Sequence, residues 1–172
     1  MQALAFWKAV TADHANLLET LIGWLQEHGV RYCVVGGQAV NAYVEPLVSL
    51  SLDLVVAVDQ LESVAAALPQ TFQVESFPHT LNVGLVGSQL RVQIQTDPRY
   101  FPFVDRAVSR EVLGVTLPVA AVEDVLQGKV WAALDSNRRP SKRKKDLLDI
   151  ERLLEAYPQL RTRVPQQILD RL

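Results

Sequence analysis

A chain of 172 residues, 49% hydrophobic and 21% charged, is long enough for one domain with a real core, or for a domain with a small helical appendage. A net charge of −2 excludes a global field that would draw the whole molecule to nucleic acid or to an anionic membrane. One cysteine, Cys33, excludes an internal disulfide and fits a reducing compartment. The start, MQALAFWKAV, lacks a basic region followed by a long apolar core, and no apolar run has bilayer length. The expectation is a cytoplasmic protein with no membrane partner.

In chain order, residues 13–28 read as an amphipathic helix with Leu17, Leu18, Leu21, Ile22 and Leu25 on one stripe, and Gly29 as its stop. His14 and His28 lie at its ends without metal-ligand company, so surface roles are expected. Tyr32–Val35 is a short apolar run that stops at Gly36-Gly37. Two glycines after a strand allow positive φ and close approach of backbone to a ligand. Gln38–Tyr43 then has the length of about two helical turns, and the free N–H groups of such a helix start suit phosphate.

From Ser49 to Asp59 the residues alternate. Leu50, Leu52, Leu54, Val56 and Val58 fall on one face, and Ser49, Ser51, Asp53, Val55 and Ala57 on the other. Period 2 sets the first group against a core and turns Ser49, Ser51 and Asp53 to an open face. A carboxylate beside two hydroxyls near a diglycine turn describes a nucleotide site; it also describes a half-exposed strand with ordinary polar residues. Asp59 is expected to cap a helix over Gln60–Leu68, ended by Pro69. Phe72–Phe77 reads as a strand, with Pro78 and His79 as a break. Leu81–Val86 and Leu90–Gln95 read as a hairpin turning at Gly87-Ser88. In its second arm Leu90, Val92 and Ile94 face one way and Arg91, Gln93 and Gln95 the other. Asp97-Pro98 ends that strand, Tyr100–Arg110 is irregular or a short helix, and Val115–Val119 is a further strand.

Residues 121–135 form a second clear helix, in which Lys129 borders the stripe of Val122, Val125, Leu126 and Ala133. Lys129 there either faces a cleft or snorkels from the edge of the core. NRRPSKRKK, residues 137–145, is the one strongly biased segment. Ser141 is expected to cap the helix that carries Leu147, Ile150, Leu154 and Tyr157. Cations in a first helical turn oppose the helix dipole, so either an anion binds there or the run is a solvated loop. A short docking helix is expected after Pro165. The overall expectation is an α/β (α+β) fold, a mixed β-sheet flanked by helices over 1–119 and a C-terminal helical segment over 120–172 packed on that core.

Taken together, Gly36-Gly37-Gln38-Ala39-Val40, Glu123-Asp124, Lys129-Val130-Trp131-Ala132 and Lys145-Asp146-Leu147-Leu148-Asp149 resemble the nucleotidyltransferase superfamily of the polymerase-beta type. The closest likeness is to small bacterial members, the AbiEii-like and minimal nucleotidyltransferase groups. The resemblance covers most of the chain and implies a nucleotidyltransferase-like fold. It implies a nucleotide site at Gly36, Gly37, Gln38, Ser49, Lys129 and Lys145, with Mg²⁺ and NTP as cofactors of an active member. It also implies a Thr-x-Asp-x-Asp strand, and here the chain departs from the pattern. The preferred register puts Ser49 at the threonine, Ser51 at the first aspartate and Asp53 at the second; a second register makes Asp53 the first and Val55 the second. Leu47 falls where many relatives carry arginine, and Gln93 stands where a third carboxylate is expected.

Asp53 is thus the single catalytic and metal-binding carboxylate retained, too few for the two Mg²⁺ ions that the family's chemistry requires. Arg91, on the same polar face, is expected to pair with Asp53 in place of a metal. Three readings follow. The first is a degenerate nucleotidyltransferase-fold protein, a pseudoenzyme acting by nucleotide binding or protein contacts in a toxin–antitoxin or phage-defence pair. The second is an active Mg²⁺-dependent enzyme moving NMP to RNA or protein, with carboxylates recruited from Asp59, Asp97 or Glu45. Asp59 lies six residues beyond Asp53, roughly 20 Å along a strand, too far without a sharp bend. The third is an RNA-binding module using Arg138, Arg139, Lys142, Arg143, Lys144 and Lys145.

Overall fold

The computed structural model describes residues 4–6, 9 and 16–172. His14 and the first residues expected in the opening helix lie outside them. The helix itself, α1, spans Leu17–Glu27 and buries all five leucine and isoleucine positions of the expected stripe, together with Trp24. Gly29 ends it at φ 61°, and the next N–H, from Val30, turns back to Leu25 O. The strand β1, Tyr32–Val35, is buried along its whole length. The helix α2 begins at Gly36 itself and runs to Tyr43.

The second strand, β2, is Ser51–Val56, shorter than the alternation implies. Leu50 lies ahead of it and is 45% exposed, and Val58 lies beyond it, 61% exposed, in the first turn of α3, Val58–Ala67. Neither joins the core. Val55, expected on the open face, is fully buried. Both corrections have one cause: period 2 holds only while the backbone stays extended, and only while one face stays open. Asp59 does not cap α3. Ala57 holds that position, and Asp59 sits in the first turn, bonded to Arg31 at 2.7 Å. The helix passes into a short 3₁₀ turn containing Pro69, as the proline demands.

Beyond it come β3 (Gln73–Phe77), β4 (Thr80–Gly84) and β5 (Arg91–Gln95). Pro78-His79 is not merely a break, because Phe77 pairs with Thr80 and the two residues form a tight hairpin turn. A 3₁₀ segment, Pro98–Arg106, is capped by Asp97. The strand β6, Val108–Val112, was not expected; it pairs antiparallel with β7, Val115–Val119. Its sequence, Val-Ser-Arg-Glu-Val, is polar because it is an edge strand with both faces largely open. The helices α4 (Val122–Leu134), α5 (Pro140–Ala156) and α6 (Gln166–Leu169) complete the chain. Ser141 does not cap α5: Arg139 is the capping residue and Pro140 opens the helix, its missing N–H costing nothing there. Ile168 of α6 is fully buried, so the terminal helix does dock.

The sheet has seven strands in the order β3-β4-β5-β2-β1-β7-β6. It is mixed: β2 runs parallel to β5 and β1 parallel to β7, while β1 and β2 are antiparallel. Leu52 and Leu54 of β2 and Val92 and Ile94 of β5 are buried on one face. The opposite face carries the polar residues, and α2, α4 and α5 gather beside it. Among the described residues no helix is long and apolar enough to cross a membrane.

Candidate functional site: a polar cleft beside the diglycine turn

Register decides what meets on the polar face. Val35, the last residue of β1, lies opposite Asp53, Asp53 opposite Gln93, and Gln93 opposite Asn82. One step along, Ser51 lies opposite Arg91. Asp53 therefore stands where β1 gives way to α2. A Cβ built on Gly36 would come 3.1 Å from Asp53 Cγ and closer still to Oδ2. Gly36 has φ 71°, so it supplies both the left-handed turn and the space for the carboxylate. A Cβ on Gly37 would lie 3.3 Å from Ser49 Oγ and 3.8 Å from Lys145 Nζ, so the diglycine backbone, Ser49 and Lys145 meet at one place.

These residues line a cleft of about 680 Å³. Its floor is Ser51, Asp53, Arg91 and Gln93, and Lys129, Arg138, Lys142 and Lys145 stand on the α4–α5 side. Another wall is aromatic. Trp131 is stacked parallel to Phe103 at 5.7 Å, meets Tyr100 edge-on at 5.2 Å, and carries the Arg99 guanidinium 4.6 Å above its ring. Gly128 makes room for this group, since a Cβ there would approach Tyr100 to 3.2 Å.

Several expected ligands have structural duties. Gln38 does not line the cleft; its buried amide donates to Ser49 O at 3.1 Å and fixes the loop before β2. Asn41 grips the same loop through both the N–H and the C=O of Leu47. Lys129 does reach the cleft, but its ammonium lies 2.9 Å from Asp149 and 3.2 Å from Asp146 and is only 7% exposed. Burial alone would push Lys129 down; Asp149 and Asp146 outweigh it, and the ammonium is held above its ordinary range. Arg138 grips Asp146 with two bonds, 2.6 and 3.2 Å. The basic run is therefore no solvated loop: Arg138 is locked to α5, and residues from Pro140 onward are helix. The anchoring role of Asp146 and Asp149 was missed in sequence, although their i, i+3 spacing puts both carboxylates on one face of a helix.

Asp53 is half-buried on the cleft floor. Its Oδ1 is withdrawn from solvent without a hydrogen-bond partner. Burial pushes its carboxyl up from the ordinary aspartate value, and Lys129, Arg138, Lys142 and Lys145 only partly oppose this. The expected Arg91–Asp53 pair does not form: among the described residues no ion pair joins them, and Arg91 is registered on Ser51, two residues away. The recruited carboxylates also fall elsewhere. Asp59 is engaged by Arg31, Glu45 lies in the exposed loop before β2, and Asp97, which does line the cleft, holds Arg99 at 2.9 Å. That guanidinium keeps Asp97 below its ordinary value.

The raised carboxyl of Asp53 predicts a pH dependence. The native state holds this proton more tightly than the unfolded chain, so ionisation costs stability as pH rises from the unfolded to the native value. Asp53→Asn is expected to raise Tm near neutral pH, with the gap closing toward about pH 3, where both forms are uncharged. Thermal melts of the two proteins across that range check it; a lower Tm for the variant at neutral pH contradicts the burial assignment.

A family model described as "Nucleotidyl transferase AbiEii toxin, Type IV TA system" matches residues 40–171. The chain belongs to the AbiEii nucleotidyltransferase family. The match spans β2, the aromatic wall, α4 and α5, while the diglycine turn lies just ahead of it. Comparison with curated proteins by sequence finds no match. Among solved structures, the antibiotic-resistance factor ANT(2'')-Ia aligns with TM-score 0.56 at 11% identity, over 86% of this chain and 90% of its own. The lincosamide antibiotic adenylyltransferase LnuA, solved with lincomycin bound, aligns with TM-score 0.55 at 11% identity, over 83% and 99%. An antigenic nucleotidyltransferase-like protein from Paracoccidioides brasiliensis aligns with TM-score 0.53 at 17% identity, over 87% and 75%. At these identities the likeness establishes the fold, and this AbiEii-family chain has a nucleotidyltransferase-like fold.

Proposed function

We propose that this AbiEii-family chain is a catalytically degenerate nucleotidyltransferase that binds a nucleotide in the cleft and acts through protein contacts. The setting is a bacterial, cytoplasmic toxin–antitoxin or phage-defence pair. The observation that carries the reading is the row on the sheet: Asp53 faces Gln93, and Ser51 stands one step along on the same strand. Among the described residues no group of three or more His, Cys, Asp or Glu could hold a metal ion. Neutral oxygens at Ser51 and Gln93 are poor ligands for Mg²⁺, a hard cation that favours carboxylates, so the donors present do not fit a two-ion site. What is kept suits binding: a helix start with free N–H groups, Ser49, Lys145 and an aromatic wall.

A working enzyme is the second reading, favoured by Asp53 at the diglycine turn with one oxygen left unbonded. The two are separated by incubating the protein with each NTP, labelled at the α-phosphate, together with Mg²⁺ or Mn²⁺ and with RNA or protein acceptors. Degeneracy predicts bound nucleotide and no transferred label. Label transfer by the wild type that is lost in Asp53→Asn establishes the enzyme instead.

A further inference from the structure

Resting on the nucleotide-binding reading, we infer that the phosphate chain is held without a metal, with Arg91 and Lys142 acting as the countercharge. The cleft lining contains six Lys and Arg side chains, Arg91, Arg99, Lys129, Arg138, Lys142 and Lys145, against five carboxylates, Asp53, Asp97, Asp124, Asp135 and Asp146. Asp97 holds Arg99, and Asp124 holds Arg106. Lys129 and Arg138 are neutralised by Asp146, with Asp149 behind it. Among the described residues Arg91, Lys142 and Lys145 have no ion-pair partner. All three line the cleft, and they are not placed alike. Lys145 stands beside Gly37, where the resemblance already expects a phosphate contact. Arg91 stands across from Ser51, where the resemblance expects the first metal-binding aspartate. Lys142 sits in the first turns of α5 on the opposite side of the cleft.

The electrostatic consequence is direct. A carboxylate-rich pocket attracts Mg²⁺ and then triphosphate; a pocket with surplus cations repels the ion and attracts the triphosphate alone. Lys142 shows the crowding: burial first, then Arg138, Arg139 and Arg91, disfavour its charge, and Asp53 only partly offsets them. An anion bridging Arg91 and Lys142 relieves that repulsion. A guanidinium can also bind two phosphate oxygens at once, a geometry a lysine lacks. The ligand chemistry is therefore a di- or triphosphate chain, either on a nucleoside or free.

Isothermal titration with ATP and with inorganic tripolyphosphate, in EDTA and in excess MgCl₂, tests this. Binding is expected in EDTA, with added Mg²⁺ leaving it unchanged or weakening it. Arg91→Gln and Lys142→Gln are each expected to weaken it roughly tenfold or more. Arg91 is an exposed residue of β5 without an ion pair, so unchanged thermal melts are expected for that variant. Equal affinity for the two ligands identifies the phosphate chain as what is recognised, and tighter ATP a nucleotide; either supports the inference. Binding that requires Mg²⁺ overturns it and leaves the nucleotide-binding reading standing. Unchanged affinity in both variants overturns it as well, and no binding of either ligand overturns both readings.

Discussion

Asp146→Asn is expected to lower Tm by roughly 6–12 °C, the consequence of about 3 kcal/mol lost in a chain of this size. Asp146 is fully buried and receives Lys129 Nζ on one oxygen and the Arg138 guanidinium on both. The substitution keeps the shape, removes the charge, and turns an amide N–H₂ toward donors. Breaking one side of a buried ion network typically costs about 3–5 kcal/mol, because the partner charge stays behind without compensation. The lower end is expected here for two reasons. Lys129 keeps Asp149 at 2.9 Å, and the Arg138 side chain is one-third exposed and can turn to water. Glu151→Gln, on the exposed side of the same helix, is the comparison and should stay within about 0.5 kcal/mol of wild type. Equal melts for the two variants contradict a stabilising role for the Asp146 network.

Gly36→Ala is the second large effect, at least about 2 kcal/mol. Two costs combine. An alanine at φ 71° is strained by its own backbone, and its Cβ collides with the Asp53 carboxylate. Only the second cost is removed by shortening Asp53. The double variant Gly36→Ala/Asp53→Ala should therefore recover part of the loss, and the remainder measures the backbone strain. Gly23→Ala provides the contrast. It lies within α1 with no atom within 4 Å of its added Cβ, and a gain of about 0.5–1 kcal/mol is expected. Denaturant unfolding of all four variants checks the set; strict additivity of Gly36→Ala and Asp53→Ala rules out the contact.

Much of the architecture was legible because it rests on local rules. The α1 stripe, the Gly29 stop, the polar and apolar faces of β5 and the break at Pro69 each follow from a few neighbouring residues. Where two covers meet, the local rule fails. Val55 shares the parity of Asp53 yet is buried. Leu50 and Val58 are apolar, but the strand stops short of both. The strand β6 escaped notice for the opposite reason, since an open edge needs no hydrophobic pattern to declare it. Ser141 and Asp59 were plausible caps by residue type, but each helix starts before the expected cap, at Pro140 and Val58.

The site divides in the same way. Its diglycine turn and the shared face of Ser51 and Asp53 on β2 are properties of the residues alone, readable because spacing along one strand fixes which side chains share a face. That Arg91 is registered on Ser51 and not on Asp53, that Gln38 serves a loop, and that Lys129 is held by Asp146 and Asp149 were decided only in three dimensions. Pairing register and helix docking set those distances, and both depend on residues far apart in the chain. A buried cation takes the carboxylates that packing brings within reach, whatever its neighbours in sequence.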